Sequence, residues 1–256
     1  MLTINSIEFF HLLNNIFLPF VRILSLFLTA PIFNERVVFS KIKIIISIFF
    51  SFLITPFLPD IHIDFFSSNF LLIFIQQMII GIFLGFSVQI IFSAANMAGE
   101  IISTQIGLSF SNYFDINTRN NSSSITRLLN ILFLFLFLSF NGHLWILSIL
   151  FDSFYRIPID YFFLNVKVFL LLIHFSSFLF VISLKLSFPI IILILILNCI
   201  MAFLNRISPQ ISIFSIGFPI ILLLGIFLLY FLIPFLAPFF QNLFLNIQKF
   251  LLNVMI

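Results

Sequence analysis

From Val166 to Leu204 the chain is almost uninterruptedly apolar, with only Lys167 and Lys185 carrying formal charge. A helix needs roughly 20 apolar residues to cross the hydrocarbon core of a bilayer. This stretch is too long for one upright span, and further apolar runs cover Phe9–Ala30, Ile44–Leu58, Phe70–Ala95, Leu128–Leu150 and Ile213–Phe240. In hydrocarbon each backbone N–H and C=O needs a partner inside the protein, and a helix supplies it within the segment. ILFLFLFLSF alternates Leu with Phe, but both are apolar, so the alternation carries no strand signal and length favours a helix. The chain is 62% hydrophobic and 7% charged, against roughly 25% charged in soluble domains. That leaves too little polar surface for a soluble globule. The expected fold is an all-α, polytopic integral membrane protein forming one domain over residues 1–256.

The spans carry their own interruptions. Pro19 and Arg22 fall inside the first, so it should kink and turn the arginine to protein or water. PIFNERVVFSKIK follows as a positive loop, and TPFLPDIHID, with His62, as an acidic one. By the positive-inside bias, Arg36, Lys41 and Lys43 favour a cytoplasmic first loop, and Asp60 and Asp64 an external second. In the third span Gly81 and Gly85 stand four apart, a spacing that lets two membrane helices approach closely. Lys185, Ser187 and Pro189 divide the Val166–Leu204 stretch into one kinked element or a hairpin. Gly217, Pro219, Gly225, Pro234 and Pro238 break the last one, before an amphipathic tail. Helix breaks or kinks are expected at Pro19, Pro189, Pro219 and Pro234. MLTINSIEFFHLLNNIFLPF has no basic n-region and reads as a first membrane segment.

Several classes of function drop out. A net charge of +3 with no basic tract gives no footing for nucleic acid. Cys199, the single cysteine, reads as a small buried residue, and no metal-ligand cluster or cofactor loop is present. Phe alone contributes 43 residues, so an individual phenylalanine says little about function.

What remains specific is the stretch from Ala94 to Trp145. Glu100, Gln105, Asn112, Asp115, Asn117, Arg119, Asn120 and Asn121 crowd into a polar insert between two apolar runs. Such an insert lies in water, lines a cavity, or is buried against protein. Glu100 reads as a proton carrier, as a partner for another subunit, or as the cap of a helix end. Asp115 and Arg119, four apart, form a local ion pair or contact a substrate. His143, beside Asn141 and Gly142, reads as a titrating or a hydrogen-bonded interfacial histidine, and Arg127 as a headgroup anchor or intersubunit partner.

Two long motifs go further. MAGEIISTQIGLSF followed by FNGHLW, and LNRISPQISIFSIGFP from Leu204 to Pro219, closely resemble the FliR family, the R-type membrane subunit of the bacterial flagellar type III export gate. QQMIIGIFLGF and the proline-rich terminal run fit the same resemblance, which covers essentially the whole chain in order. The resemblance implies a non-enzymatic subunit, without cofactors, in the inner membrane at the flagellar basal body. It implies kinked helical hairpins packed in a hetero-oligomeric gate with P-type and Q-type subunits. It further implies contact with the B-type substrate-switch protein, the A-type export protein, membrane lipid and unfolded flagellar export substrates. By resemblance, Phe110, Ser111, Asn112, Tyr113, Phe114, Asp115, Asn117 and Arg119 belong to a loop that plugs the closed pore. Gly81, Gly85, Gly99, Glu100, Asn141, Gly142, His143, Asn205, Arg206, Pro209, Gln210, Gly217 and Pro219 are the positions expected to serve helix packing and assembly. The nearest rival is the equivalent subunit of a virulence injectisome. A small-solute transporter would show an inverted repeat with matching broken helices, and an intramembrane enzyme a second catalytic partner for Glu100 or His143. Neither is seen in the sequence.

Overall fold

A computed structural model describes residues 6–31, 39–59, 68–109, 122–159, 166–207 and 217–255. Among them every regular element is helical: α1 (Ser6–Thr29), α2 (Ser40–Ile54), which runs into a 3-10 turn (Thr55–Phe57), α3 (Ser68–Ile106), α4 (Ser124–Ser139), α5 (Gly142–Arg156), α6 (Val166–Ile207) and α7 (Phe218–Met255). Four helices in the described residues are long and apolar enough to cross a membrane, and the α4–α5 pair makes a fifth if counted as one bent span.

Three boundaries differ from the sequence expectation, and one open alternative is decided. The third span does not stop at Ala95; α3 continues for 39 residues through the polar start of the insert. The fourth span is not one helix. It breaks between Ser139 and Gly142. Asn141 takes φ 55 there, a left-handed conformation that asparagine tolerates better than most side chains and that ends a right-handed helix. Of the two alternatives at Pro189, the single element holds: α6 runs through it for 42 residues. Likewise Gly225, Pro234 and Pro238 lie within the single helix α7, which absorbs the tail. Pro219 sits in the first turn of α7, where its missing N–H has no helical partner to lose. Cys199 is exposed rather than buried, since it lies on an outward apolar face of α6.

Helix α2 packs inside out. On α2 the buried residues are Lys43, Ser47, Ser51 and Ile54, spaced by three or four, while Ile45, Ile48, Phe49 and Phe52 are exposed. A water-soluble helix would do the reverse. In a membrane the polar face turns to protein, because lipid cannot satisfy it. Ser51 Oγ accordingly donates to the Ile16 carbonyl on α1 at 2.5 Å, and Thr55 Oγ1 to that of Asn15 at 3.4 Å.

The described residues group into two compact units, one from Met1–Ile90, Asn141–His174 and Asn246–Ile256, the other from Ile91–Phe140 and Phe175–Leu245. The first contains the α1–α2–α3 contacts, including stacked Phe17 and Phe74 rings 6.0 Å apart. The second is built on aromatic packing. Phe133 and Phe137 of α4 meet Phe240 of α7 edge-on at 5.5 and 6.4 Å, and Phe137 meets Phe92 of α3 at 5.8 Å. Each such pair contributes about 0.5–1.5 kcal/mol beyond its contact area. That term matters here because lipid provides no hydrophobic drive between helices.

Candidate functional site

The polar insert is held at both ends within the second unit. At its start, α3 terminates on Gly107, whose φ of +88 suits glycine. Leu108 N–H reaches back to the Ser103 carbonyl at 3.0 Å and Gly107 N–H to that of Thr104 at 3.2 Å, a Schellman ending that satisfies two terminal carbonyls. A Cβ on Gly107 would lie 2.8 Å from the Phe218 ring, so this terminus is also packed against the start of α7.

At its other end, α4 begins on Ser123, whose Oγ accepts the Thr126 N–H at 3.2 Å. A capping box would place a carboxylate at Thr126 to bind the Ser123 N–H. This chain has threonine there, and Glu100 of α3 supplies the carboxylate instead. Its Oε1 accepts from Ser123 N–H at 3.1 Å and from the Thr126 hydroxyl at 2.8 Å. With the Thr126 proton directed to Glu100, the Ser123 hydroxyl donates to Thr126 Oγ1 at 2.7 Å. The negative carboxylate faces the positive end of the α4 dipole. Gly99 permits this approach, since a Cβ there would come within 2.6 Å of Thr126 Cα. The Asn130 side-chain amide donates to Asn96 Oδ1, which extends the α3–α4 seam.

A second polar centre lies in the first unit. Arg22 of α1 is fully buried and its partners are neutral. Nε donates to Gln77 Oε1 of α3 at 2.7 Å, Nη1 to the Ser153 carbonyl at 2.9 Å and Oγ at 3.2 Å, and Nη2 to the Ile157 carbonyl at 3.0 Å. The guanidinium also lies 4.3 Å over the Phe154 ring. It thus caps the carbonyl end of α5, the end that favours a cation. Beside it Gly81 and Gly85 lie against α1: a Cβ on Gly81 would overlap Ser25 and the Arg22 carbonyl, and one on Gly85 would meet Thr29.

The remaining expected positions are dispersed. Asn141 and Gly142 form the α4–α5 bend, and His143 follows with its Nδ1 buried and without a hydrogen-bond partner in the described residues. Asn205 and Arg206 are exposed at the end of α6, Gly217 is buried, and Pro219 is exposed. Pro209 and Gln210 lie outside the described residues, as do all the expected plug residues: Phe110, Ser111, Asn112, Tyr113, Phe114, Asp115, Asn117 and Arg119. Sequence reasoning missed Ser123, Thr126, Asn96, Asn130, Gln77 and Ser153. Ser123-x-x-Thr126 ahead of an apolar run was a legible helix start. Asn96 and Glu100, four apart, were a legible polar face.

The sequence pattern of the bacterial export proteins, family 1, matches residues 13–247. The flagellar biosynthetic protein FliR of Buchnera aphidicola from Baizongia pistaciae is 47% identical over 254 residues, covering 99% of each chain. That of Buchnera aphidicola from Acyrthosiphon pisum is 49% identical over 230 residues, 90% of this chain and 89% of its own. The FliR of Escherichia coli is 43% identical over 229 residues, 90% of this chain and 88% of its own.

Proposed function

The chain belongs to the bacterial export proteins, family 1, and on that premise we propose how it works as a membrane subunit of the flagellar type III protein export gate. It is a multi-pass component of the inner-membrane export apparatus and acts within a complex of export proteins. Its own contribution is structural: it presents the polar insert to the pore.

The observation that carries this reading is the double anchoring of the insert. Gly107 ends α3 on one side, and Glu100 holds the first turn of α4 on the other. A segment fixed at both ends returns to the same place whenever it relaxes. Residues 110–121 carry Asn, Ser, Asp and Arg side chains that cannot face hydrocarbon, with Phe110, Tyr113 and Phe114 to fill a narrow lumen. A close-packed constriction holds back ions without any catalytic group. The segment closes the resting pore and moves aside for an unfolded flagellar substrate. The partners that complete the pore are P-type and Q-type subunits, with B-type and A-type export proteins at its entrance. Gly99 keeps α3 and α4, the helices that carry the insert, close enough to hold it, while Gly81 and Gly85 seat α3 against α1.

Flagellar rather than injectisome cargo is favoured by relatives that all carry the flagellar name. Co-expression with P-type and Q-type subunits tests the assignment. A stable complex that survives detergent extraction and gel filtration is expected. A chain that purifies alone and binds a small solute would overturn it.

A further inference from the structure

Lys185 is exposed on α6 in the second unit, yet it makes no ion pair or hydrogen bond with another described residue. It stands at the head of an apolar groove of about 240 Å³ between α6 and α7. Leu186, Ile190 and Leu232 form the buried floor, and Phe231 and Phe235 are exposed along the rim.

The depth of Lys185 follows from the charge pattern. The next charged residue on α6 is Arg206, and the uncharged run between them holds about 20 residues. At 1.5 Å per residue this is roughly 30 Å, the thickness of a bilayer hydrocarbon core. Lys185 and Arg206 therefore mark the two headgroup levels of one span. The groove runs from Lys185 towards Leu193, into that span and not away from it. Pro189 lines the same groove one turn further along α6.

We propose that this groove is a binding site for an anionic glycerophospholipid, with the phosphate on the Lys185 ammonium and one acyl chain along Ile190 and Leu232. Basic pockets between membrane helices recognise anionic headgroups in this way. The proposal goes beyond the export-gate function and does not depend on the insert.

The test is native mass spectrometry of the full chain in detergent, titrated with dioleoyl phosphatidylglycerol or, separately, dioleoyl phosphatidylcholine. Lys185→Gln should weaken phosphatidylglycerol retention at least about tenfold and leave phosphatidylcholine unchanged. Lys185→Arg should retain it. Ile190→Trp, which fills the floor, should weaken both lipids. Phosphatidylglycerol retention within twofold of wild type in Lys185→Gln would overturn the proposal, as would equal loss of both lipids in that variant. It would also fail if Lys185→Gln kept its lipid but lost co-purifying gate subunits, which would make the groove a protein interface.

Discussion

Arg22 shows how this chain uses a charge it cannot leave in lipid. Its fork meets one side-chain oxygen on α3 and three oxygens at the end of α5, all neutral. Hydrogen bonds to a charged donor contribute about 1.5–3 kcal/mol each, and an acceptor left buried without one costs a similar amount. Arg22→Ala should therefore destabilise the first unit by about 3 kcal/mol or more. Arg22→Lys should also melt early, because a single ammonium cannot span acceptors arranged for a planar fork. Thermal unfolding in detergent measures both. A lysine variant that melts with the wild type would mean that charge alone suffices. The inward turn of this arginine is legible in the sequence from its place in an apolar run. Its partners are not, because two of them are backbone carbonyls, which every residue offers alike.

At the scale of elements, the α3–α4 hairpin depends on a cap assembled from two helices. Glu100 occupies the role that a glutamate at Thr126 would play, and the chain between them is the polar insert. Glu100→Ala removes both hydrogen bonds and the favourable charge at the α4 terminus, a loss of about 1–2 kcal/mol. The first turn of α4 should then fray. Limited proteolysis should cut faster between residues 110 and 126, while sites elsewhere keep their rates. Glu100→Gln keeps an acceptor oxygen and should fall between. Equal cleavage in all three proteins would show that the cap does not hold the insert. The sequence admits a capping role for Glu100 among others, but not its partner. The reach from Glu100 to Ser123 spans the whole insert and leaves no periodic trace. The α4–α5 break is hidden for a related reason: Leu128–Leu150 carries no acidic or basic charge and reads as one span, and the left-handed Asn141 ahead of Gly142 marks the break only in the structure.

For the whole molecule, the helical membrane fold is the most legible feature. Long apolar runs with almost no charge admit little else, and α2, with lysine and serine inward and isoleucine and phenylalanine outward, carries that logic into packing. Continuity is less legible. The prolines leave a break or a kink open in the sequence, and α6 and α7 run through Pro189, Pro234 and Pro238 without a break. A proline removes one N–H from the ladder, and the rest of each helix keeps its hydrogen bonds within the segment.

The central claim is that the anchored insert closes the gate, and ion conductance tests it most directly. The complete gate carrying a deletion of Asn112–Asn120 should be reconstituted in planar bilayers, after gel filtration shows that its subunits remain together. The account predicts that the intact gate is tight and the deletion mutant conducts. An assembled deletion mutant as tight to ions as the intact gate would contradict it, and would make residues 110–121 a linker.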